Sequence, residues 1–224
     1  MKNMEDTELI QTEDITYPPI EKGWLERSAH IVSLVFNPFI VTTAVFVMLF
    51  GCTYLRMLPA FYKQIAIGTT FSFTTFIPLT GIFVYLKLNK CSINQLNVRT
   101  WRHVPYLLTI AGYAACIYTM HRISLPIYMP HIVLTSLNCL TICMVINYFW
   151  KVSIHAAASG LLIGSLVSFS LIFQFNPLIL LCVFVLLAGI IGTSRIIAGQ
   201  HSLSEVIVGF CIGMFCGIAG ILFI

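Results

Sequence analysis

The stretch Leu178-Ile-Leu-Leu-Cys-Val-Phe-Val-Leu-Leu-Ala-Gly-Ile-Ile-Gly-Thr193 carries no charged side chain. A helix of this composition has no polar face to turn toward water, so the run reads as a membrane span. Working outward, Asn176-Pro177 makes a turn before it, and a polar, basic segment from Ser194 to Glu205 follows. Similar apolar runs predict six further helices. They cover about Ile31 to Phe50 (with Asn37-Pro38 near the start), Ile65 to Leu86, Val104 to Met120, Met129 to Trp150, His155 to Phe173, and Ser202 to the C-terminus. The run after Val104 is short, which leaves six or seven spans. The expected fold class is all-α, a polytopic transmembrane helical bundle.

Composition agrees with the runs. Charged residues make up 9% of the chain and apolar ones 58%, far too little charge to cover a soluble domain of 224 residues. The net charge of +4 hides a division. Glu5, Asp6, Glu8, Glu13, Asp14, Glu21 and Glu26 all fall in residues 1–30, an acidic polar segment without the apolar core of a signal peptide. Residues 31–224 form the membrane domain, and Glu205 is their one carboxylate. A single carboxylate among membrane helices calls for a functional explanation. Cys139, Cys143, Cys182, Cys211 and Cys216 sit inside apolar runs and read as small core residues.

Three polar, basic segments interrupt the runs: Lys87–His103, Trp150–His155 and Ser194–Glu205. Two helices separate each from the next, and an even number of crossings returns a chain to the same side. All three therefore face one water layer, where their loops form one site. Lys and Arg number nine on that face and three opposite, namely Arg56, Lys63 and Arg122. The asymmetry has two explanations, a cytoplasmic face or an anion-binding site.

In the third segment, His201 and Glu205 are four apart and share a helix face. A carboxylate on one imidazole nitrogen fixes the tautomer and raises the basicity of the other. The histidine then serves as a nucleophile or base. Arg195 suits a phosphate through paired hydrogen bonds, and Gly199 permits a tight turn before His201. The same residues have a plainer reading, since Ser202-x-x-Glu205 has the spacing of a helix capping box. In the second segment, Lys151-Val-Ser153-Ile-His155, Ser153 suits a helix N-cap and His155 a proton donor to a leaving oxygen. Lys151 is either a headgroup contact or a membrane anchor. In the first, Arg99 and Arg102 stand three apart, close to Lys90 and His103.

Ser194-Arg195, then His201 six residues after the arginine, then Glu205 four later, resembles the third signature of the type 2 phosphatidic acid phosphatase superfamily. That family more often has Asp where Glu205 stands. Ser153 and His155 match two of the four positions of its Pro-Ser-Gly-His signature, with Val152 and Ile154 at the others. The first segment departs further. It has no lysine seven residues before Arg102, and Arg99-x-x-Arg102-x-x-Pro105 looks like the variant of a divergent branch.

The resemblance implies a membrane lipid phosphatase that works without a cofactor or metal. His201 attacks phosphorus, Glu205 orients it and His155 protonates the leaving group. Arg195, Ser153, Arg102 and Arg99 bind the phosphoryl oxygens, with Lys90 and His103 as further candidates. The expected partners are the bilayer and a lipid phosphate or pyrophosphate such as undecaprenyl pyrophosphate or a lipid A phosphate, with no nucleic acid. The expected location is a bacterial inner membrane. A reading from another class is a non-catalytic lipid-phosphate binding or transport protein of the same fold, motivated by Ile154 and the missing lysine.

Overall fold

The structure is a computed structural model that describes residues 23–24, 27–29, 31, 36–88 and 103–223. Regular structure among these is helical throughout. Seven helices are α1 (Pro38–Cys52), α2 (Ala60–Leu88), α3 (His103–Arg122), α4 (Tyr128–Phe149), α5 (Ile154–Phe173), α6 (Leu178–Ile197) and α7 (Leu203–Leu222). A 3-10 turn, Tyr54–Met57, joins the first two. The protein is an all-α membrane helical bundle.

Five helices, α2, α4, α5, α6 and α7, are long and apolar enough to cross a membrane. Helix α1 is apolar but has 15 residues, and α3 has 20 residues but ends in His121-Arg122.

The first helix begins later than its apolar run suggests. Phe36 lies in a turn, and the Asn37 side chain accepts the N–H of Phe39 at 3.1 Å, with Pro38 in the first helical position. A proline there has no N–H to leave unpaired, and the Asn cap satisfies another. The second helix begins at Ala60 rather than Ile65 and widens into a π-helical stretch at Phe71–Phe76. That stretch brings the Phe73 carbonyl against Gly112 of α3, where an added Cβ would lie 2.5 Å from the oxygen. The Thr75 hydroxyl donates to the Phe39 carbonyl at 2.8 Å, tying α2 to α1.

Helix α5 runs through the middle of the bundle, and its contact with α7 is the most extensive between any two helices. Both faces of this seam are small. An added Cβ at Gly213 would collide with the Ala157 carbonyl, and one at Gly160 with the Phe210 carbonyl. The backbones therefore touch, and packing replaces the hydrophobic drive that is weak between helices in lipid. Phe46, Leu49, Met120, Met129, Ile132 and Leu166 fill the adjoining core. On the outer surface, Ile179, Leu186 and Ile190 of α6 are exposed, as suits contact with lipid chains.

Short connections fix which ends meet. Helices α3 and α4 pack together and are joined by residues 123–127, and α4 leads into α5 through residues 150–153. The start of α3, the end of α4, the start of α5, the end of α6 and the start of α7 thus lie at one end. At the other, Tyr54 packs edge-on against Phe173 at 5.2 Å.

Candidate active site

The third segment is built by one helix stopping and the next starting. Gly199 has φ +63°, the left-handed conformation in which a side chain is strained. Its N–H donates to the Ile196 carbonyl at 2.9 Å, and the N–H of Gln200 to the Arg195 carbonyl at 3.1 Å. This is a Schellman stop, which pairs carbonyls that the end of α6 would otherwise leave open. The N–H of His201 also donates to the Arg195 carbonyl, at 3.3 Å, so the arginine backbone sets where the histidine begins.

Ser202 then caps α7, its Oγ accepting the N–H of Glu205 at 3.4 Å. Only this half of a capping box involves Ser202. The Glu205 carboxylate turns to His201 instead, with Oε2 at 2.7 Å from Nδ1. A carboxylate only accepts, so Nδ1 carries the proton and Nε2 keeps its lone pair. The His201 side chain is 6% exposed and that of Glu205 16%. Burial pushes the imidazole from 6.5 down to about 4, against the Glu205 hydrogen bond, while the positive charges of Lys151 and Arg195 push it down further. At neutral pH the ring is an uncharged, oriented base.

The second segment is fastened to the third. Ser153 caps α5, its Oγ accepting the N–H of Ala156 at 3.4 Å, and the residue is fully buried. Its own N–H donates to the Glu205 carbonyl at 3.3 Å. Gly209, one turn beyond Glu205, makes room for this approach, since a Cβ there would lie 2.6 Å from the Ser153 carbonyl. Val152, which departs from the signature, is buried against Cys139, Cys143, Ala157, Leu161 and Cys216. His155 is half-buried in the first turn of α5.

His201, Glu205, Arg195 and Ser153 are thus brought together, with His155 on the helix that Ser153 caps. Sequence reasoning missed the position of Lys151. Its Nζ donates to the carbonyl of Gln200, the residue before His201. No local pattern signals such a contact between two loops. Lys90, Arg99 and Arg102 lie outside the described residues. The backbone of His103 opens α3 at the same end of the bundle as the site.

Cys139, Cys143 and Cys216 are buried as expected, whereas Cys182 and Cys211 lie on the exposed surface. Among the described residues, no group of three or more His, Cys, Asp or Glu is arranged to hold a metal ion. Between α6 and the residues Ser28 and Ala29, an apolar groove of about 470 Å³ is lined on the helix side by Val185, Leu186, Ile190 and Thr193, and reaches Ser194 beside Arg195 in the chain.

Neither a protein-family model, a curated protein nor a solved structure matches the chain.

Proposed function

We propose that this protein is a membrane lipid phosphatase that cleaves a phosphate or pyrophosphate monoester through a phosphohistidine. The observation that supports it most is the His201–Glu205 pair, 2.7 Å apart and acted on by two cationic side chains, at one end of a membrane bundle. A carboxylate-oriented imidazole provides a nucleophile, and cations around it provide for a phosphoryl group in transfer.

In this reading Nε2 of His201 attacks phosphorus. The P–N bond forms as the bond to the leaving oxygen breaks, and that oxygen takes a proton from His155. Water then attacks the phosphohistidine, giving its proton to the now neutral His155 and releasing phosphate and free His201. Arg195, with Arg99 and Arg102 of the first segment, offsets the charge on the equatorial oxygens. The lipid tail stays in hydrocarbon, and the groove on α6 is a place for it. A bacterial inner membrane belongs to the same reading.

The test is phosphate release from a panel of lipid phosphates and pyrophosphates in detergent with a chelator present. Release by the wild type is expected to fall by about a thousandfold or more in His201→Ala. A folded wild type that binds these lipids and releases no phosphate would move the assignment to a binding or transport protein.

A further inference from the structure

The chain enters the bundle beside the candidate site. Ser28 and Ala29 line the same groove as Ser194 and Ile197 at the end of α6, and Ala29 is buried there. Arg195 follows Ser194 directly. Seven of the eight carboxylates precede this point in the sequence, with Glu26 two residues before Ser28 and Glu21 seven before it. At no more than about 3.6 Å per residue, the chain keeps Glu26 within about 7 Å of Ser28 and Glu21 within about 25 Å.

Charge on the two sides of Ser28 is opposite in sign. Residues 1–26 hold seven carboxylates against two lysines, whereas from Arg27 onward ten Lys and Arg stand against Glu205 alone. At the site, the positive charges of Lys151 and Arg195 both act on the His201 ring. The Lys151 ammonium is held at the Gln200 carbonyl in the turn before that ring. Opposite charges joined by a short connection meet at an effective concentration in the millimolar range, with no second molecule to capture. Their attraction is stronger at the edge of a membrane bundle than in open water, because the surroundings screen it less.

We propose that the acidic segment, residues 5–26, is an internal anionic ligand of this site, held by its cations until a phosphoryl group displaces it. The segment thereby lowers the affinity of the site for phosphate and excludes weaker anions. This regulation rests on the phosphate-ester reading above.

The first measurement is zero-length cross-linking of the full chain in detergent with a carbodiimide, which joins a carboxylate to an amine in contact with it. Mass spectrometry should find Lys151 joined to a carboxylate of residues 5–26, above all Glu21 or Glu26. Salt at about 1 M should abolish the product, because charges are then screened beyond about 3 Å. The second measurement is calorimetric titration of inorganic phosphate. Replacing all seven carboxylates with the matching amides should tighten phosphate binding by about tenfold, the factor for a segment that occupies the site about nine-tenths of the time. In about 1 M salt the amide variant and the wild type should bind alike. No cross-link, or cross-links confined to Lys87 and Lys90, would overturn the proposal. Equal phosphate binding by the two proteins at low salt would also overturn it and leave the phosphatase reading standing. A chain that in neither form binds phosphate or cleaves any lipid phosphate would overturn both.

Discussion

The backbone N–H of Ser153 donates to the carbonyl of Glu205 across 3.3 Å, joining the first turn of α5 to the first turn of α7. Two helix N-termini are thereby held side by side at one end of the bundle. Each carries part of the proposed chemistry in its first turn, His155 on one and Glu205 on the other. The close α5–α7 seam beneath them makes this registration possible, since a wider spacing would separate the two caps.

The first prediction concerns the carboxylate. Glu205→Gln preserves shape and removes charge, and the amide no longer obliges Nδ1 to carry the proton. Turnover of a lipid phosphate should fall by about 10²–10⁴-fold with little change in KM, because the loss is felt in the attack and not in binding. Glu205→Asp keeps the charge but shortens the reach across the 2.7 Å contact, so its turnover should lie between the two. Steady-state kinetics in detergent checks both, and a Gln variant as active as the wild type would remove Glu205 from the mechanism.

The second concerns pH. His201 is held down at about 4 against an ordinary value of 6.5, chiefly by burial. It is therefore a free base throughout the neutral and mildly acidic range. The acid limb that this residue imposes on kcat/KM should fall near pH 4 rather than near 6.5. The stability effect has a definite sign. Between 6.5 and about 4 the unfolded chain binds a proton at this position and the folded one does not. Stability is thus unaffected by His201 above that window and is lost as pH falls through it. A melting series from pH 7 to pH 4 should drop less steeply for His201→Ala than for the wild type.

Much of this site was legible because its parts are local. The spacing of His201 and Glu205 predicts a pair on one helical face; the structure pairs them, but with His201 in the turn before Ser202 and only Glu205 on the helix. Gly199 before His201 reads as a tight turn, and it is one, formed by a helix stop. The Ser202 cap and the Glu205–His201 pair were alternatives in sequence, and the structure contains both, because the Glu205 N–H serves one and its carboxylate the other. What was not legible depends on separate elements meeting. Lys151 finds Gln200 across 49 residues. The π-helical stretch at Phe71–Phe76 meets Gly112 of another helix. The α5–α7 seam did leave a signal, Gly160 and Gly164 facing Gly209, Gly213 and Gly217 at intervals of four, but in so apolar a chain these glycines read as ordinary span residues.

The seam carries the third prediction. Gly213→Leu drives a branched side chain into the Ala157 carbonyl, a backbone atom that cannot swing aside. The helices must separate, at a cost of about 1–3 kcal/mol or more. Melting in detergent should fall and activity should fall with it, since the Ser153–Glu205 contact depends on that spacing. Gly68→Ala is the control, because nothing lies within 4 Å of a Cβ at that position. It should be neutral or slightly stabilising, as expected for Ala replacing Gly within a helix.

The fourth prediction separates the structural role of Ser153 from its chemical one. The residue is fully buried and its Oγ accepts from the Ala156 N–H, so Ser153→Ala removes a helix cap worth about 1 kcal/mol. Ser153→Asp or Ser153→Asn can replace the cap acceptor, but only Asp adds a negative charge to the site. If the hydroxyl also meets the phosphate, the three variants should diverge. Ala lowers stability and raises KM. Asn recovers stability with KM still raised. Asp loses phosphate binding through repulsion and, as a charge at a fully buried position, does not recover stability. A set in which KM follows melting temperature alone would assign Ser153 to the cap and leave phosphate binding to the cationic side chains around His201.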